Sequence, residues 1–229
     1  MQNSVERALE PALRDRCSLG QILIQETDGS FVLCHRDDEV RNDLQRFKNA
    51  DDAIEIAKHD DAGNYRPLKT APNLRHGWRL ELETLEDLRR ALDYFYPGRL
   101  AVFAAWKSDK LKTTPLRETL DRQSGMYRVA AKISDSQVND LVADFCRSNG
   151  GCLRTILWKR DADGAIASTK LPKDKFDPAR DQATAANPPG SSAFAKATAD
   201  KTTPATVPLL CQEACNLLVA ECRKVVKGE

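Results

Sequence analysis

Histidine is nearly missing from this 229-residue chain: His35, His59 and His76 are all it has. That scarcity removes most histidine-based metal sites and acid–base constellations. An excess of charge of one sign is missing too. Lys and Arg number 35 against 34 Asp and Glu, a net charge of +1. No broad basic field exists to hold a polyanion, so extended electrostatic binding of nucleic acid is disfavoured. No apolar run approaches the roughly 18 residues of a membrane span, so no membrane partner is expected. The first residues, MQNSVERALEPALRDR, carry acids and no apolar stretch. They do not read as a signal peptide, and the expected location is cytoplasmic. Gly-x-Gly-x-x-Gly, phosphate-loop and Gly-x-Ser-x-Gly patterns are absent, which leaves nucleotide and triad chemistry without a motif. No catalytic motif is found, and no internal repeat occurs at periods of about 20–50 residues. Apolar residues make up 41% and charged residues 30%. A core is feasible, with part of the chain outside it.

Periodicity outlines the elements. Residues 4–16 read as a short helix with Val5, Leu9, Ala12 and Leu13 on one side. Residues 20–36 read as a hairpin, because two apolar runs flank Asp28-Gly29. Residues 39–58 look helical, anchored by Val40, Leu44, Phe47, Ile54 and Ile56, with a break at Asn49. Residues 60–76 are loop. Trp78, Leu80 and Leu82 alternate as in a half-buried strand. Thr84 opens a helix: Thr84-x-x-Asp87 is capping-box-like, and Leu85, Leu88, Leu92 and Phe95 follow at helical spacing. Pro97-Gly98 closes it. Beyond it, 100–107 (LAVFAAWK) reads as a buried strand and 113–123 as a short helix. The run 126–133 (MYRVAAKI) reads as a strand, and 135–147 as a helix capped by Ser134. Ser148-Asn149-Gly150-Gly151 is a tight turn, 152–158 (CLRTILW) a strand, and 210–227 the last helix.

The expected fold class is α+β in two parts. Residues 1–96 make a small α+β domain, a hairpin plus a strand packed by helices. Residues 97–229 make a small sheet with helices. Residues 161–207 interrupt this second part: they are rich in Ala, Thr, Asp, Lys and Pro and have no periodic apolar face. Such a segment cannot bury enough surface to offset its ordering entropy and is expected to be a disordered insertion.

Against these scarcities stand seven cysteines: 17, 34, 146, 152, 211, 215 and 222. An odd count with no export signal argues against a disulfide framework and for thiol or metal chemistry. Cys146 and Cys152 flank the Gly-Gly turn, which allows a sharp reversal between them. Cys211 and Cys215 are expected at i and i+4 on one helix face, about 6 Å apart, in first turns whose free N–H groups favour an anion. Four thiolates at element ends suit a four-cysteine metal site. Structural zinc favours shorter knuckles, whereas iron–sulfur clusters accept varied spacing. Four buried packing cysteines are the third possibility, and spacing alone leaves all three open. Cys222 lies seven residues past Cys215, roughly 10 Å along a helix, and reads as core. Cys17 and Cys34 read as packing.

The runs YRPLKTAPNLRHGW (65–78), TPLRETLDRQSGMYRV (114–129) and LLCQEACNLLVAECRKVV (209–226) resemble a specific family. It is the [4Fe–4S] cluster-binding family attached to CbiX-type chelatases of cobalamin biosynthesis. In its larger members a chelatase domain precedes a small stabilising domain and a cluster-binding domain. This chain resembles the last two, over roughly residues 1–160 and 208–229. The resemblance implies Cys146, Cys152, Cys211 and Cys215 as ligands of one [4Fe–4S] cluster. It implies a redox, electron-transfer or structural role, with a chelatase or redox protein as partner. The alternatives are a structural four-cysteine module, zinc or cluster, that docks a separate chelatase, and a [2Fe–2S] carrier. His76-Gly77-Trp78 stands outside any metal-insertion motif, so chelatase activity is not carried over.

Other polar groups read mostly as structure. His76 reads as a loop histidine with a structural hydrogen bond. Arg117 with Arg122, and Arg154 with Lys159 and Arg160, read as solvated or ion-paired faces. A sharper reading has Arg147 and Arg154, both beside ligand positions, offsetting the cluster's negative charge and tuning its potential. Asp37-Asp38-Glu39 and Asp51-Asp52 read as dipole partners at helix starts.

Overall fold

The structure is a computed structural model that describes residues 4–13, 16–123, 125–146, 151–158 and 205–229. It falls into two units. One holds the chain through Asp109 together with the segment ending at Leu209, and the other holds the chain from Lys110 together with Leu210–Glu229.

The first unit is built on a six-stranded sheet. Its strands are β1 (Arg16–Leu19), β2 (Ile22–Thr27), β3 (Ser30–His35), β4 (Gln45–Phe47), β5 (Trp78–Leu82) and β7 (Ala205–Val207), in the order β4-β5-β3-β2-β1-β7. The β2–β3 hairpin turns at Asp28 and Gly29, whose φ angles of +52° and +81° are those of the tight turn that matches strand twist. Among the described residues, four α-helices belong to this unit: α1 (Ser4–Leu13), α2 (Asp52–Lys58), α3 (Leu85–Phe95) and α4 (Arg99–Lys107). Thr84 caps α3 by accepting from the Asp87 N–H, so Leu88, Leu92 and Phe95 turn inward. Trp78 of β5 then stacks on Phe95 with ring centroids 5.0 Å apart. Each such buried aromatic contributes on the order of 2–3 kcal/mol.

Several expectations change here. The apolar run 100–107 is helix α4, not a strand. It starts after Gly98 at φ +71° and buries Leu100, Val102, Phe103 and Ala104. Short apolar runs fit either state, and three alanines favour the helix. The helix expected over 39–58 is shorter. Val40 is exposed, residues 45–47 are β4 beside β5, and only Asp52–Lys58 is helical. Asn49 breaks it, since its side chain accepts from the Asp51 N–H and its carbonyl accepts from the Asp52 N–H. Of the insertion expected at 161–207, residues 205–207 form β7, parallel to β1. Residues 159–204, including Lys159 and Arg160, lie outside the described residues, as does most of the Ser148–Gly151 turn.

The second unit contains α5 (Leu116–Asp121), a 3-10 segment (Gly125–Lys132), α6 (Asp135–Leu141), one wide π-turn (Val142–Cys146), β6 (Thr155–Ile156), β8 (Leu210–Cys211) and α7 (Asn216–Lys227). Ser134 and Gln137 form a reciprocal capping box at the start of α6. The run 126–133 is a 3-10 segment, not a strand. Ala130, and Ile133 just past the segment's end, are both buried, a spacing of three instead of two. The last helix starts at Asn216, later than expected, because Leu210–Cys211 is spent on pairing with β6. Cys222 is fully buried in the core with Leu218, Val219 and Ile133.

Gly20 is a tight spot in the first unit. Its φ is +58°, and a Cβ there would stand 2.6 Å from Tyr96 Oη and 2.9 Å from Leu209 Cδ1. Gly20→Ala is expected to destabilise this unit by about 2–4 kcal/mol. Urea unfolding of the variant against the parent measures it.

Candidate metal centre

Two segments far apart in sequence build the site. On the first, the chain leaves the π-turn at Cys146, and the Cys152 N–H returns to the Cys146 carbonyl at 2.9 Å. Gly151, at φ +24°, lies just before that return. Single π-turns of this kind recur at functional sites. On the second, β8 runs parallel to β6, with Ile156 opposite Cys211 and the Leu157 N–H donating to the Cys211 carbonyl at 2.9 Å. Cys215 then caps α7 in extended geometry (φ −81°, ψ 161°). It stands at the positive end of a twelve-residue helix, where an anion is favoured.

The four thiols act on one another. Burial pushes the Cys146 thiol up to about 12, and Cys152, Cys211 and Cys215 push the same way, against Arg154. Burial also raises Cys211, opposed by Arg154 and by the indole N–H of Trp158. Burial alone would lower Arg154, but Cys211, Cys152 and Cys215 raise it above its ordinary value. A fixed positive charge therefore sits among thiols that resist ionising together. Two sulfurs have N–H donors: Arg154 Nε reaches Cys152 Sγ at 3.2 Å, and Trp158 Nε1 reaches Cys211 Sγ at 3.1 Å. Cys152 and Cys211 are buried, while Cys146 and Cys215 are half-buried.

Four thiols around a fixed positive charge are donors whose chemistry fits an iron–sulfur cluster.

The four expected cysteines thus come together, though not as pictured from sequence. Cys211 and Cys215 do not share a helix face: one is on β8 and the other precedes α7. Arg154 lies where expected, beside Cys152. Arg147 lies outside the described residues. Arg117 is ion-paired, as one of its two readings had it: it pairs with Asp135 and also donates to the Ala131 and Ile133 carbonyls. Arg122 pairs with Glu213 at 3.4 Å. Cys17 and Cys34 are buried in the first unit's sheet, their thiols raised to about 12 and about 11 by burial. Trp158 was missed. Its only signal in the sequence is that a buried indole N–H needs a partner.

A second group lies in the first unit. His35, Asp38 and His76 bring ligand atoms within 4.8 Å of one another. Their hydrogen bonds make them a structural knot. Gln21 Oε1 accepts from the Leu74 N–H at 3.1 Å, which turns its amide nitrogen to His35 Nε2 at 3.0 Å. The Asp37 N–H faces His35 Nδ1 at 3.2 Å. Neither ring nitrogen is left open to an ion. Asp38 is a buried acceptor for the Gly77 N–H at 2.7 Å, for Arg41 at 3.2 Å and for His76 at 3.3 Å, more than a dipole partner. Burial opposes its ionised form, yet these partners hold its carboxyl below the usual range. His76 is the loop histidine with a structural bond that its sequence context suggests. Asp51 precedes α2 and pairs with Arg90 at 2.6 Å, and Asp52 accepts from the Asn49 N–H.

Comparison with known proteins agrees with this layout. Residues 7–110 match the model of the DR2241 stabilising domain, and residues 108–224 match that of the 4Fe-4S iron-sulfur cluster binding domain. Among solved structures, the chain is similar to DR2241 from Deinococcus radiodurans, with 28% identity and a TM-score of 0.73. That crystal structure is described as a multi-domain protein with structural similarity to chelatases and two additional novel domains. The match covers 98% of this chain and 41% of DR2241, so the chain spans less than half of that relative. No curated protein matches the chain.

Burial, with a smaller push from His76, lowers His35 to about 4. Asp37 and Asp38 act the other way, and Arg36 adds to the lowering. Unfolded, this histidine titrates near 6.5 and binds a proton that the fold refuses. Stability of the first unit is therefore expected to be full above about pH 6.5 and to fall as pH drops towards 4, by on the order of 3 kcal/mol at most. His35→Gln should flatten that slope in urea melts taken across the window.

Proposed function

The chain belongs to the family of 4Fe-4S iron–sulfur cluster binding domains, here following a stabilising domain of the DR2241 type, and from that premise we propose that Cys146, Cys152, Cys211 and Cys215 hold its [4Fe–4S] cluster for electron transfer. The observation that carries the reading is the meeting of these four thiols, two of them with N–H donors at their sulfurs. A bound cluster supplies one-electron redox chemistry. The chain's residues do the rest. Two segments fix the sulfurs, and Arg154 and the start of α7 offset negative charge. The core around Trp158 and Leu218 excludes water from the Cys211 side. Half-buried Cys146 and Cys215 leave the opposite edge near the surface, where a partner protein could exchange electrons.

The similarity of DR2241 to chelatases supports a partner of that class. In this proposal the first unit docks or steadies a chelatase, and the second unit delivers electrons to tetrapyrrole or metal-handling chemistry in the cytoplasm. A second reading has one observation in its favour. The pairing of β6 with β8 spans only two residues in each strand, so a cluster would staple segments that little else holds.

Redox cycling separates the two. Anaerobically prepared protein should be brown and carry iron with acid-labile sulfide. Dithionite should bleach its visible band, and an oxidant should restore it at constant iron content. A cluster that takes up no reversible electron would leave the staple as the role. A colourless protein with stoichiometric zinc would overturn the cluster and its electron transfer and leave a structural zinc staple.

A further inference from the structure

We infer that Trp158 is a positioning residue for the cluster: its indole N–H, aimed at the sulfur of Cys211, holds that ligand and makes the cluster easier to reduce. This rests on the reading of Cys211 as a ligand.

Trp158 is 1% exposed, and its Nε1 lies 3.1 Å from Cys211 Sγ, 53 positions away in sequence. A buried indole has one N–H and must find an acceptor. A thiol sulfur is a weak acceptor, whereas a thiolate is a charged one and binds about twice as well. The tryptophan's only polar atom is thus spent on a partner that repays it when the sulfur is anionic. The same backbone ladder holds both groups. Ile156 lies opposite Cys211, and the Leu157 N–H donates to the Cys211 carbonyl at 2.9 Å. The donor is therefore aimed before any cluster binds.

The sign of the effect follows from charge. Adding an electron makes the ligand sulfurs more negative, and an N–H donor stabilises the more negative state more. Hydrogen bonds to the sulfurs and burial are established levers on cluster potential. Arg154 is the charged counterpart at Cys152, on a half-buried side chain. Trp158 works on the buried side, where the low dielectric strengthens a neutral donor.

The test is Trp158→Phe, which keeps an aromatic ring and removes the N–H. Iron and acid-labile sulfide are measured first, then the midpoint by equilibrium titration with dithionite and mediator dyes. The expected result is retained iron and a more negative midpoint. At a fixed poise, the ratio of reduced to oxidised cluster should fall roughly three- to tenfold, the scale of one hydrogen bond to a charged acceptor. Tenfold corresponds to about 59 mV for one electron. Retained iron with an unmoved midpoint overturns the inference. If the variant cannot hold the cluster, wild-type protein carrying 15N-indole tryptophan is reduced instead. A hyperfine coupling to an indole nitrogen and its exchangeable proton supports the contact, and its absence overturns it. Cys211→Ser tests the underlying reading separately: full iron content and an unchanged spectrum there would remove Cys211 as a ligand, whatever Trp158 does.

Discussion

A parallel pairing of two residues with two residues, Thr155–Ile156 against Leu210–Cys211, is the constraint on which the second unit depends. It sets Cys211 beside the segment that carries Cys152, and it aims Trp158 at the Cys211 sulfur. It also consumes residues that would otherwise extend α7, so the helix opens only after Cys215. So short a ladder contributes little by itself, because closing the long loop between its strands costs entropy. Core packing of Ile156, Trp158, Leu218 and Cys222 supports it. Four thiolates bound to one cationic group would lock it, since metal affinity is also folding free energy.

The same segment serves both units. Leaving the undescribed stretch, the chain first adds β7 to the edge of the large sheet beside β1 and then continues into β8. Val207, Leu209 and Leu210 are all buried along this short path. The composition of 161–207 hides this, because the three residues of β7 adjoin a low-complexity run and have too few neighbours to show a period.

Much of the first unit was legible in the sequence because its signals are local. Asp28-Gly29 marks the hairpin, alternation marks β5, and Thr84 marks the start of α3. What failed were short apolar runs. LAVFAAWK and MYRVAAKI lack the length to separate a strand from a helix, and tertiary packing decided both. In the site, family resemblance singled out the four cysteines whose thiols meet, and nearness in sequence singled out Arg154, which contacts Cys152. The geometry was not: an i, i+4 spacing implies a shared face only inside a helix, and strand pairing removed Cys211 from it. Trp158 and the His35–Asp38–His76 knot depend on contacts between residues distant in sequence, which no local pattern encodes.

In the proposed site, four thiolates from both sides of the β6–β8 pairing hold one cluster, and Cys222, although on the same helix as the cap residue Cys215, does not. The most direct measurement is the iron content of matched serine variants prepared anaerobically side by side. Cys146→Ser, Cys152→Ser, Cys211→Ser and Cys215→Ser should each lose most of the iron, while Cys222→Ser should keep it at a burial cost of about 1–3 kcal/mol. A Cys222→Ser protein that is bleached, beside a Cys146→Ser protein that stays brown, would contradict that assignment.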